Sequence, residues 1–117
     1  MPISAANKEN LVDVFLETKR KGHRAEIRLR FQRKDEDADK IAKQNKKLSK
    51  QIDMLIAQSM RQWNGSASAI ISDMKQSNTK LQKSVNSIKK KMKVAENVVK
   101  IIGYIDDGIE RATKLIV

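Results

Sequence analysis

Residues 71–102 read ISDMKQSNTKLQKSVNSIKKKMKVAENVVKII, and the spacing of their apolar members decides the fold class. With Ile71 as heptad position a, steps of four and three land on Ile71, Met74, Asn78, Leu81, Val85, Ile88, Met92, Ala95, Val99 and Ile102. Asn78 alone is polar, so the spacing predicts one continuous helix with a coiled-coil seam. Upstream, Ala38, Ile41, Asn45, Leu48, Ile52 and Leu55 carry the same steps, with Asn45 in the polar place. Asp35, Glu36, Asp37 and Asp39 suit the positive end of that helix's dipole, and Lys40, Lys43, Lys46, Lys47 and Lys50 fall on its outer positions.

Trp63, Asn64, Gly65 and Ser66 separate the two patterns; Gly65 suits a left-handed helix stop and Ser66 the next N-cap. The expected fold is mainly α: a long antiparallel, coiled-coil-like helical hairpin over residues 35–117, turning at 63–66. An antiparallel register centred on residue 63 sets every a position against a d, from Ala38 with Ile88 to Leu55 with Ile71. Asn45 and Asn78 then occupy neighbouring layers, either close to each other across the seam, where buried asparagines fix register, or partly exposed.

From about residue 94 the chain outruns its partner helix, yet it is most apolar there. An arc this wide needs cover from more than one side, supplied by the N-terminal module or by another subunit. Val98, Val99, Ile102, Ile105, Ile109, Leu115 and Ile116 are the candidate protein interface of this extension. Gly103 and Gly108 bracket Tyr104 to Asp107 and predict a bend, with Asp106 and Asp107 in a helix-end turn.

Residues 1–34 form a separate basic module. Ala25, Ile27, Leu29 and Phe31 alternate with Arg24, Glu26, Arg28 and Arg30, the period of a strand. Leu11 to Thr18 supplies a partner strand, making a small N-terminal β-hairpin around the loop Lys19 to His23; the competing reading is an amphipathic helix from Lys8 to Lys21 stopped by Gly22. The alternation favours the hairpin, which is marginal alone and has to dock on the helices or pair with another chain.

The 117 residues hold 25 Lys and Arg against 14 Asp and Glu, a net charge of +11. Nine basic and four acidic residues fall in 1–34, and seven basic residues against Asp73 alone fall in 65–93. Lys19, Arg20, Lys21, Arg24, Arg28, Arg30, Lys89, Lys90 and Lys91 are therefore the candidate anionic-ligand patch, with a plain solubilising face as the alternative. Aromatics are confined to Phe15, Phe31, Trp63 and Tyr104, too few for a single-strand stacking platform.

There are no cysteines, and His23 is the one histidine, so thiolate chemistry, zinc sites and histidine-centred catalysis lack their raw materials. No enzyme, cofactor, metal site or small-molecule substrate is expected. The expected function is that of a structural or assembly protein, forming homo-oligomers or docking on a protein partner through the C-terminal helix and the N-terminal module. Nucleic-acid binding is the alternative, and action at an anionic membrane surface a third. No basic segment leads an apolar run at the N-terminus, and no stretch is apolar enough to span a bilayer, so a cytoplasmic location is expected.

Trp63-Asn64-Gly65 at the turn of a helical hairpin resembles the small secreted proteins of specialised bacterial secretion systems that are named for a Trp-x-Gly motif. That resemblance implies a small secreted helical-hairpin protein. The family's C-terminal signature, a tyrosine followed four residues later by an acidic side chain, is not met, because Gly108 holds that place after Tyr104. The basic N-terminal module also departs from the family, and no functional residue is carried across.

Overall fold

The structure, a computed structural model, describes residues 5–57 and 67–115. All the secondary structure among them is helical: α1 (Ala5–Phe31), α2 (Asp35–Ala57), α3 (Ala67–Lys89) and α4 (Val94–Leu115). The turn residues Trp63 to Ser66, and Ile116, lie outside the described residues.

The mainly α expectation holds, and α2 and α3 follow the two heptad patterns. The N-terminal β-hairpin is corrected to a helix. What looked like one alternating face divides into two pairs one helical turn apart. Ala25 and Leu29 are buried, whereas Ile27 and Phe31 are exposed on another side of α1. Leu11, Phe15, Thr18, Gly22, Ala25 and Leu29 then form a stripe of four–three steps, and all six are buried.

That stripe changes the architecture. α1 packs against both α2 and α3, and α4 packs against the same two helices from the far side of the core. α2 and α3 therefore stand at opposite corners of a four-helix bundle with extents of 46 × 22 × 17 Å. Helical hairpins are present, but they pair α1 with α2 and α3 with α4, not α2 with α3. Lys8 Nζ reaches Ile56 O and Arg30 reaches Asp39, so α1 and α2 run antiparallel. Thr18 meets Asn78, Lys21 meets Gln82 and Gln32 meets Ile88, so α1 and α3 run parallel.

The seam expected to run unbroken to Ile102 stops at Lys89. There α3 closes in a Schellman turn: Lys91 N donates to Ile88 O and Met92 N to Ser87 O, each at 2.9 Å, with Lys91 at φ 59°. After Lys93, at φ 44°, α4 resumes with its stripe shifted onto Val98, Ile101, Ile105, Gly108, Ala112 and Leu115. Met92 and Val99, assigned to the seam from spacing, are 57% and 70% exposed. α1 ends in the same manner: Arg33 N donates to Arg30 O at 3.0 Å and Lys34 N to Leu29 O at 2.9 Å, with Arg33 at φ 58°.

The C-terminal segment is not broken where a bend is expected: α4 runs through both Gly103 and Gly108 and carries Tyr104, Asp106 and Asp107 mid-helix, not in a helix-end turn. Gly108 faces the core, where an added Cβ would lie 3.5 Å from Met74, 3.7 Å from Leu48 and 3.8 Å from Thr18. All four helices thus meet at one level, and the small residues there let α1 and α4 approach across the core. Asn45 and Asn78 are both buried, but they do not pair with each other. Each reaches α1: Asn45 Nδ2 donates to Lys19 O at 2.8 Å, and Asn78 Nδ2 to Val14 O at 3.0 Å.

Candidate functional site

Parallel packing of α1 and α3 brings their C-terminal ends, and both short loops, to one end of the bundle. Both loops are pinned there. Gln32 Nε2 donates to Ile88 O at 2.6 Å, and Asn97 Nδ2 donates to Met92 O at 3.2 Å and Lys93 O at 3.1 Å. A basic residue at the C-terminal end of a helix also complements the dipole, which accounts for Arg28, Arg30 and Lys89 locally.

The candidate anionic-ligand patch separates into two groups. In the first, Arg20, Lys21 and Arg30 have acidic partners. Arg20 and Lys21 contact Glu17 at 3.0 and 3.3 Å, and Lys21 also donates to Gln82 at 2.6 Å. Burial pushes the Glu17 carboxyl up, but the hydrogen bonds from Lys21 and Arg20 outweigh it and hold the group below its ordinary range. Arg30 contacts Asp39 at 2.9 Å, Glu26 at 3.1 Å and Asp35 at 3.6 Å; the hydrogen bonds to Asp39 and Glu26 raise its pKa further. Lys19 is exposed and takes part through its carbonyl, the acceptor for Asn45.

Arg24, Arg28, Lys89 and Lys91 form the second group. They gather with Lys34 around two adjoining depressions of about 540 and 380 Å³, which share Arg28, Phe31 and Lys89 as walls. None of these five cations forms an ion pair with a described acidic residue. Lys90 lies in the same loop and is exposed. Phe31 stands between the depressions at 75% exposure, an unusual state for a phenylalanine in a chain with so few aromatics.

The candidate protein interface on α4 is placed differently from the reading of an unmatched extension. Val98, Ile105 and Leu115 belong to the core, and Ile102 and Ile109 pack against it half-buried. Their cover comes from the chain's own helices. Val99 alone of the described set is well exposed.

No group of three or more His, Cys, Asp or Glu residues is arranged to hold a metal among the described residues, and none of their helices is long and apolar enough to cross a membrane. The chain matches no family model, no curated protein and no solved structure. Its surface therefore carries the functional reading.

Three members of this end, Phe31, Lys34 and Met92, escaped the sequence reading as site residues. The alternation places Phe31 on a strand face, and the four–three spacing places Met92 in a helix seam. The available signal was the i, i+4 relation of Ile27 with Phe31, which on a helix marks a second apolar ridge beside the buried one.

Proposed function

We propose that this protein is a non-enzymatic docking or assembly protein that engages a negatively charged partner through the two-loop end of the bundle. The observation that supports this reading is the gathering of Arg24, Arg28, Lys34, Lys89 and Lys91, without acidic partners, around an exposed Phe31. Basic residues placed only for solubility need neither a shared concave surface nor an aromatic at its centre.

Charge reversal at this end, Arg28→Glu with Lys89→Glu, is compared on immobilised heparin with the same change on the outer face of α2, Lys43→Glu with Lys47→Glu. Both pairs alter the net charge equally. The reading expects the first pair to elute at much lower salt than the second. Equal losses would show that retention follows the net charge of +11 and not this surface.

Self-association is the second reading, favoured by Val99, 70% exposed, with Ile102 half-buried one turn further along α4. Sedimentation of Val99→Lys alongside the unaltered chain tests it. A smaller species for the variant supports an α4 contact, and identical species remove it.

A further inference from the structure

We infer that the two-loop end docks on an anionic lipid surface, with Phe31 and Met92 entering the headgroup region and the surrounding lysines and arginines meeting the lipid phosphates and carboxylates. This rests on the reading of that end as the working surface and names the class of partner.

Four features favour a bilayer over a nucleic acid or an acidic protein. First, each loop carries an apolar side chain outward, Phe31 at 75% and Met92 at 57% exposure. A phosphate lattice offers nothing to Met92, whereas an interface rewards apolar tips within a basic ring. Second, the cations around these tips are mostly lysines: Lys34, Lys89, Lys90, Lys91 and Lys93, with Arg28 and Arg33. Lysines act as point charges that suit a diffuse charged plane, whereas bidentate recognition of single phosphates or guanines favours arginine.

The third feature is shape. Arg28, Lys34, Lys89 and Lys91 sit with both apolar tips at one end of a bundle 46 Å long and only 22 × 17 Å across, a footprint that meets a plane, whereas Lys40, Lys43, Lys46, Lys47 and Lys50, also without ion pairs among the described residues, lie along the side of α2. A duplex lying along the long side would use the cations spread over it. Fourth, Arg33, Lys91 and Lys93 are the only described residues other than glycine with positive φ, and all three are cations at this end. A glycine at these positions would relieve the backbone and would lose the charge. On the α2 side, Asp35, Glu36 and Asp37 border the surface, and Arg30 engages Asp35 and Asp39. The bundle therefore meets the bilayer tilted onto its α1/α3 edge.

The test uses the full chain and sedimentation with vesicles of phosphatidylcholine alone or mixed with phosphatidylserine, with duplex DNA as a separate probe. Each cation near an anionic leaflet raises partitioning about fivefold. Binding to mixed vesicles only is expected, with a loss of at least tenfold in Arg28→Glu with Lys89→Glu and in Phe31→Ser with Met92→Ser. Lys43→Glu with Lys47→Glu is expected to retain more binding than either. The chain has no native cysteine, so Asn86→Cys, at an exposed uncharged wall of the second depression, carrying an environment-sensitive dye gives a second readout, a blue shift on mixed vesicles only.

Vesicle binding that ignores the loss of Phe31 and Met92, or a dye that does not shift, overturns the inference. Binding to DNA and not to vesicles, through the same cations, also overturns it and leaves the proposed function standing. Binding to neither probe also overturns the inference, and the heparin comparison then decides the proposed function separately.

Discussion

Asn78 on α3 is locked to Thr18 on α1: the Thr18 hydroxyl lies 2.5 Å from Asn78 Oδ1, and the Asn78 amide reaches one turn back to Val14 O at 3.0 Å. Thr18 is fully buried and Asn78 is 6% exposed, so the bonds are made out of water. Thr18 also lies 3.1 Å from Val14 O, and its single proton serves one acceptor at a time. Removing Asn78 leaves the α1 groups it served with fewer partners and opens a cavity. Asn78→Ala is expected to cost about 1–3 kcal/mol in urea unfolding. Asn78→Leu combined with Thr18→Val, which replaces both partners by apolar groups, is expected to recover part of that loss. An unaltered unfolding midpoint for Asn78→Ala would contradict the clamp.

Three glycines within helices separate packing from propensity. A Cβ on Gly22 would lie 2.7 Å from Asn45 Oδ1, a buried oxygen without a hydrogen-bond partner, so α1 and α2 approach closely at this glycine. Gly22→Ala has to displace the Asn45 side chain and is expected to destabilise by about 1–3 kcal/mol. Gly108 has room at ordinary contact distance and Gly103 has no neighbour within 4 Å. Alanine at either is expected to stabilise by about 0.5–1 kcal/mol through helix propensity. Thermal unfolding of the three variants distinguishes these outcomes, and a stabilising Gly22→Ala would refute the close approach.

The bundle was partly legible before the structure. The apolar steps from Ala38 to Leu55 and from Ile71 onward mark two helices, because a four–three stripe has the same spacing whether it faces one helix or three. For the same reason the stripe could not reveal that α2 and α3 stand at opposite corners. Their missing neighbour was hidden in α1, where Thr18, Gly22 and Ala25 occupy the buried stripe with little apolar signal, while Ile27 and Phe31 outside it imitate a strand. The break after Lys89 was equally hidden. Lys91, Met92 and Lys93 contain neither glycine nor proline, yet Lys91 and Lys93 adopt positive φ. The cations of the candidate site were visible from composition; Arg20, Lys21 and Arg30 were distinguished from Arg24 and Arg28 only once the positions of Glu17, Glu26 and Asp39 were known.

The helix caps set stability against function. Arg33 and Lys91 occupy left-handed positions that favour glycine, at a cost of about 1 kcal/mol each. Arg33→Gly and Lys91→Gly are each expected to raise stability by about that amount while weakening retention on anionic surfaces. Urea unfolding and salt elution, measured on the same samples, check both. A variant that gains stability and keeps full retention would deny these cations a role in docking.

Glu17 gives the acid-side behaviour of α1. Its folded pKa lies below the ordinary 4.5, so its contribution is fully present above the unfolded value and fades as pH falls through the folded one. The stability difference between the unaltered chain and Glu17→Gln is expected to be constant above about pH 5 and to shrink below about pH 4. A difference that grows on acidification would reverse the sign of this linkage.

The location of the docking surface is tested most directly by following backbone amide resonances during titration with short heparin fragments. The account expects the shifts to concentrate in residues 24–34 and 86–93, on both loops and the α1/α3 edge between them, while the outer face of α2 from Lys40 to Lys50 stays unperturbed. Shifts spread evenly over the lysines of α2, α3 and α4 would show that the positive charge acts as a diffuse field, and that the two-loop end is not a docking site.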